Sequence, residues 1–232
     1  SLIFNTKPFL LRSDLDEMKQ FFAVHKKDIS FFDAFKGADV FLGLSRAGLV
    51  SKEMIKKMAK DPIVFALANP DPEISFKDAT SVRKDIIMAT GRSDHPNQVN
   101  NVLGFPFIFR GALDVRATTI NEEMKLAAVK AIAALAKETI PEEVIEAYGE
   151  KNISFGRDQI IPKPLDPRLI YSVAPAVAKA AIDSGVAKNP IRDWSRYEAE
   201  LKARLGLDNE LLRNITAKAQ SNPKKVVFAE AD

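Results

Sequence analysis

The sequence has no cysteine and only two histidines, His25 and His95, in 232 residues. That scarcity excludes a disulfide framework, a Cys–His nucleophile pair and a zinc cage built from Cys and His. Long apolar runs are missing too. Nothing approaches the roughly twenty consecutive apolar residues that span a bilayer, and the opening residues 1–4 have neither the basic start nor the apolar core of a signal peptide. The expected compartment is the cytoplasm, with no membrane partner. Charge of one sign is also lacking: the net charge is +3 although 28% of residues are charged. The basic residues are spread along the chain rather than gathered into arms, which argues against a nucleic-acid partner. Two further absences bear on chemistry. No glycine-rich phosphate fingerprint follows a strand, and no obvious carboxylate cluster with metal-ligand spacing is present.

What is present is apolar residue in quantity: 46% of the chain is hydrophobic, enough to bury a sizeable core in one or two domains. Three short apolar runs recur at residues 38–44, 62–68 and 85–89. Each is nearly unbroken in hydrophobicity and is followed at once by glycine or polar residues, the pattern of a parallel strand buried on both faces. Between the first two, Ser51 precedes a segment with an acid early, lysines late, and Met54 and Met58 four apart. This predicts a capped amphipathic helix and hence a right-handed βαβ unit. The fold class is therefore α/β, a Rossmann-like parallel sheet followed by helices. Residues 2–4 read as one further strand, already under way where the chain begins.

Residues 116–138 are rich in helix formers, with acids first and lysine last. Asp166-Pro167 opens another helix that runs to Gly185, with a kink expected at Pro175. Residues 193–219 read as a polar amphipathic helix, after which residues 221–225 look like a linker that leads into a new strand from Val226.

In open parallel sheets ligands sit beyond the carboxyl ends of the strands, so the loops directly after the three runs are the informative ones. The first holds Gly43, Ser45 and Gly48; small residues there suit either close approach of a dinucleotide or an ordinary turn. The second is Asn69-Pro-Asp-Pro-Glu73, in which Asn69 offers a carboxamide at a strand tip, equally compatible with a site and with a turn. The third carries Asn97, Gln98, Asn100 and Asn101, suited to binding a carboxylate and a nicotinamide amide without adding charge, or to capping the helix that follows. His95, between Asp94 and Pro96, is expected to be a surface residue rather than half of a His–Asp pair.

The stretches 37–43, 65–74, 90–117 and 160–169 together resemble the small bacterial malic enzymes, in particular the long form fused to a phosphate acetyltransferase-like domain. The resemblance implies oxidation of malate by hydride transfer to NADP, then decarboxylation to pyruvate aided by a divalent cation, Mg or Mn. The family's tyrosine and lysine acid–base pair and its metal-holding acids would lie before Ser1, which leaves no catalytic or metal residue in this chain and makes it inactive by itself. Its asparagines carry over: Asn69 toward cofactor and malate, Asn100 and Asn101 toward the nicotinamide and the substrate carboxylate. Ser45 joins the cofactor set. If residues 2–4 end beneath the adenosine ribose, the neutral and basic tip Asn5-Thr6-Lys7 suits a 2′-phosphate, with Lys7 as charge partner. The implied organisation is a partial NAD(P)-binding domain over 1–115, the C-terminal helical part over 116–192, a helical linker over 193–225, and the start of the fused domain at 226–232. That domain would bring acetyl-CoA as an effector, and the enzyme is expected to be a homo-oligomer. The alternative is a domain that only binds a nucleotide or acyl-CoA and regulates a partner.

Overall fold

A computed structural model describes residues 29–147, 149 and 153–221. The expected strand at 2–4, the tip with Lys7 and the strand from Val226 lie outside the described residues. The chain divides into two compact units. One contains the described residues up to Leu103 together with Ala136–Pro164; the other contains Gly104–Leu135 and the described residues from Leu165 onward.

The first unit is built on three strands, β1 (Val40–Gly43), β2 (Ile63–Ala66) and β3 (Ile87–Thr90); the first two lie inside apolar runs and the third ends one residue beyond its run. They are parallel and adjacent in sequence order, with Val40 opposite Ile63 and Ile63 opposite Ile87. Between β1 and β2 runs helix α2 (Lys52–Lys57); Ser51 Oγ accepts from Met54 N at 3.3 Å, the expected cap. Met54, Ile55 and Met58 turn inward against Val64, Ala66 and Met88, so the four-residue spacing of the methionines does mark the core face. A short helix, α1 (Phe31–Ala34), precedes β1.

The expectation of burial on both faces fails for β1. Val40 and Leu42, two apart and so on one face of the sheet, are 55% and 58% exposed, which leaves that face largely uncovered at β1. A helix that the periodicity did not announce, α3 (Phe76–Val82), connects β2 to β3. Its cap is local, with Ser75 Oγ accepting from Asp78 N at 3.0 Å. The Ser-x-x-Asp spacing was the available signal.

One polar cluster joins the starts of β2 and β3. Arg83 donates to the carbonyls of Met58 and Ala59 at 2.9 and 2.8 Å and pairs with Asp85. The Arg83 guanidinium, then the backbone N–H of Asp61, hold the Asp85 carboxyl well below the usual carboxylate range. A carboxyl depressed in the folded state stabilises above the unfolded value of about 4 and loses that contribution as pH falls below it. Asp85→Asn should therefore lower the melting temperature at neutral pH, and its gap to the parent should narrow as pH falls below about 4. A gap that stays constant over that acid limb would show that Asp85 stabilises through shape alone.

The second unit is helical: α4 (Phe105–Asp114), α5 (Glu122–Leu135), α7 (Arg168–Asp183) and α8 (Trp194–Ser221). A further helix, α6 (Glu142–Ala147), belongs to the first unit. The helix expected from residue 116 begins later, at Glu122. Thr118 N instead donates to Val186 O, and Asn121 Oδ1 accepts from Met124 N at 3.1 Å, so asparagine sets the start and the β-branched residues stay outside. Just before α7, Asp166 Oδ1 accepts from Arg168 N at 2.9 Å, and the two side chains form a buried ion pair. Pro175 lies inside the helix as expected, and Gly185, at φ +73°, follows its end. The first turn of α8 is fastened to α4 by Tyr197, whose hydroxyl donates to Asp114 at 2.7 Å; burial pushes that phenol up from its usual pKa.

Candidate functional site

The three loops beyond β1, β2 and β3 lie at the carboxyl ends of the sheet, where the strand direction and register place them together. Asn69 and Pro70, joined by a cis peptide, form one wall of a cleft of about 280 Å³; Gly91, Arg92, Ser93 and Gln98 from the loop after β3 line it as well. The cleft is small and open, sized for part of a ligand rather than a whole dinucleotide. Arg92 at its rim is held by a two-point contact with Asp94, at 2.8 and 2.9 Å. That contact keeps the Asp94 carboxyl below its usual range.

The four carboxamides of the third loop separate into different roles. Gln98 lines the cleft, and its residue bridges to Thr90 at the end of β3. Asn97 is buried and faces the protein: its amide donates to Met88 O at 3.0 Å and Arg157 O at 2.7 Å, and its Oδ1 accepts from Ile160 N at 2.8 Å. Asn100 is exposed, and its Oδ1 accepts from Val102 N at 3.0 Å, capping the 3-10 turn Asn101–Leu103. Asn101 opens that turn and is exposed. The structure thus brings Asn69 together with Gln98 in one cleft, while Asn100 and Asn101 stand further along the same loop and do not line it. Asn97, grouped with the site by spacing, is a tether between this loop and the segment 157–160.

Ser45 is exposed beyond β1 and does not line the cleft. Its contribution is its backbone N–H, which donates to Glu73 Oε1 at 2.9 Å. Glu73 is what sequence reasoning passed over. It ends the Asn-Pro-Asp-Pro-Glu motif and is wholly buried, and its other oxygen accepts from Ala68 N at 3.1 Å. Gly43 at the end of β1 makes room for it, since a Cβ there would meet the Glu73 carboxyl at 2.4 Å. His95 is not a free surface residue, since its ring stacks on Phe76 at 4.9 Å and its Nε2 lies 3.9 Å from Asp94. Lys7 lies outside the described residues.

No group of three or more His, Asp or Glu side chains among the described residues is placed to hold a metal ion. No helix among them is long and apolar enough to cross a membrane.

A parallel sheet with crossover helices and a polar cleft beyond its carboxyl ends is the architecture of the nucleotide-binding α/β domains. The sequence matches the family described as malic enzyme, NAD binding domain, over residues 10–147, more than half of the chain. Across its whole length it is 48% identical to an NADP-dependent malic enzyme of Rhizobium meliloti, of which it covers 31%. An NAD-dependent malic enzyme of the same organism is also 48% identical over 94% of the chain and 28% of that relative. A solved malic enzyme of Entamoeba histolytica superposes with a TM-score of 0.75 at 32% identity, covering 98% of this chain and 46% of that one. This chain belongs to the malic enzyme family, and its first unit carries that family's Rossmann-like NAD-binding fold. It spans about a third of the length of these curated relatives and just under half of the solved one. These relatives lend no support to the reading as a binding domain without catalysis.

Proposed function

We propose that this chain is the nucleotide-binding and C-terminal part of an enzyme that oxidises malate at its hydroxyl carbon and releases pyruvate and CO2, with NADP as hydride acceptor. The observation that carries the reading is the juxtaposition of Asn69 and Gln98 in one cleft beyond β2 and β3, in a chain of the malic enzyme family. Carboxamides there can bind an amide or a carboxylate without supplying a proton. Bound NADP supplies the hydride acceptor; Asn69, Asn100 and Ser45 are the residues of this chain that would hold it, with Asn101 toward the malate carboxylate.

A divalent cation suits the decarboxylation step, but the described residues do not provide its ligands. Those ligands, and the acid and base, belong to the remainder of the enzyme in this reading. The preference for NADP over NAD rests on Lys7 as partner for a 2′-phosphate, since both cofactor classes occur among the relatives. The cytoplasmic location, the homo-oligomer, the fused acetyltransferase-like domain and acetyl-CoA as its effector complete the proposal.

In the intact enzyme, Asn69→Ala and Asn101→Ala should each lower kcat/KM for malate roughly tenfold to a hundredfold, the loss of one or two positioned hydrogen bonds at about 1–3 kcal/mol. The same assays run with NADP and with NAD test the cofactor. Unchanged kinetics in both variants would return these asparagines to turn and cap roles, and equal kcat/KM for the two cofactors would remove the NADP preference.

A further inference from the structure

The loops after β1 and β2 are joined by one buried side chain and two backbone hydrogen bonds. Glu73 turns back from the loop after β2 into the space between the strand tips, with Oε1 on Ser45 N and Oε2 on Ala68 N. Its backbone oxygen accepts from Val50 N at 3.0 Å, and Pro72 O accepts from Gly48 N at 3.2 Å. Past the last ladder bond, Leu67 N to Gly43 O, three of these contacts, on Ser45, Gly48 and Val50, replace the sheet as the connection between the two loops, and the fourth closes the loop after β2 on itself. The carboxyl group occupies the volume in which any residue other than glycine at position 43 would carry its Cβ.

We infer that Glu73 is a positioning residue for the dinucleotide site: without touching the ligand, it sets the separation of the loops that carry Ser45 and Asn69. The inference rests on the reading of this crevice as the cofactor site. Two features favour positioning over simple stability. Both oxygens are used on backbone N–H groups directly at the strand tips, one next to Asn69 and one on Ser45 itself, so a change in the carboxyl group moves the two loops relative to each other. In addition, the loop between Ala68 and Glu73 is closed on itself by its own last side chain, since Pro70 and Pro72 have no N–H to donate within it. A glutamine at 73 would aim an NH2 at one of the two N–H donors, and that loop would have to shift to find another acceptor.

The test uses the intact enzyme. Glu73→Gln should raise the NADP KM and the NADP Kd about tenfold or more, the consequence of one backbone donor losing its acceptor and its loop shifting, while kcat at saturating cofactor changes no more than about twofold because no reacting group is altered. A lowered melting temperature with unchanged NADP KM and Kd would overturn the inference and leave Glu73 a stability residue. Should Glu73→Gln not fold, hydrogen exchange on the unaltered enzyme decides: adding NADP should increase protection in residues 44–50 and 68–73 together, and a response in one segment alone, or in neither, overturns it. A parent enzyme that binds no NADP would instead fail the cofactor reading itself, and the inference with it.

Discussion

Gly111→Ala is expected to destabilise the second unit by about 2–4 kcal/mol. In an exposed helix the same change stabilises, since alanine exceeds glycine in helix propensity by about 1 kcal/mol. Here the sign reverses because of what lies opposite. A Cβ on Gly111 would stand 2.4 Å from the carbonyl oxygen of Ala174, 2.9 Å from Val177 Cβ and 3.1 Å from Ala178 N. Two of those three are backbone atoms of α7, which no rotamer change can remove. To admit one methyl group α4 and α7 must separate, loosening the contacts that bury Ala174, Val177 and Ala178. Urea unfolding followed by the fluorescence of the single tryptophan, Trp194, which packs against Tyr197 in this unit, reads the effect. A midpoint equal to or above that of the parent would show that the helices part at little cost.

Asn97→Ala is expected to cost about 2–4 kcal/mol in the first unit, because it strips partners from three backbone groups at once. Met88 O, Arg157 O and Ile160 N all meet this one carboxamide. Its backbone adds a second component: Asn97 sits at φ +55°, a region that asparagine and glycine tolerate and alanine does not, at about 1–2 kcal/mol. Asn97→Gly separates the two, since glycine removes the hydrogen bonds but not the permitted backbone. The glycine variant should fall between parent and alanine, with residues 157–160 losing protection from hydrogen exchange in both. If glycine matches the parent, the hydrogen bonds contribute nothing and only the backbone matters.

The contrast between Asn97 and Gln98 shows where legibility ended. Both are carboxamides, adjacent in one loop and indistinguishable by composition, yet one is a buried tether and the other lines the cleft. The difference lies in the φ of one residue and in the position of Arg157, sixty residues away. Glu73 was hidden for a similar reason: an acid after prolines in a polar loop reads as exposed, and only the missing Cβ of Gly43 makes room for it inside. The exposure of Val40 and Leu42 was likewise invisible in an apolar run, which says that a strand is apolar and not whether a packed layer covers each of its faces.

By itself the sequence determined the features that short-range physics controls. The three strands, the Ser51 cap, the methionine face of α2 and the helix opened by Asp166-Pro167 follow from periodicity and capping within a few residues. The placement of candidate ligand groups beyond the strand ends followed too, because a parallel sheet leaves its loops there. The tertiary structure alone decided which carboxamide faces the cleft, which faces the protein, and that one buried carboxyl joins the two strand tips. Those outcomes depend on contacts between residues 5 to 63 positions apart, and a contact at such separation is set by packing and by the need to satisfy each buried N–H and C=O, neither of which is written in local pattern.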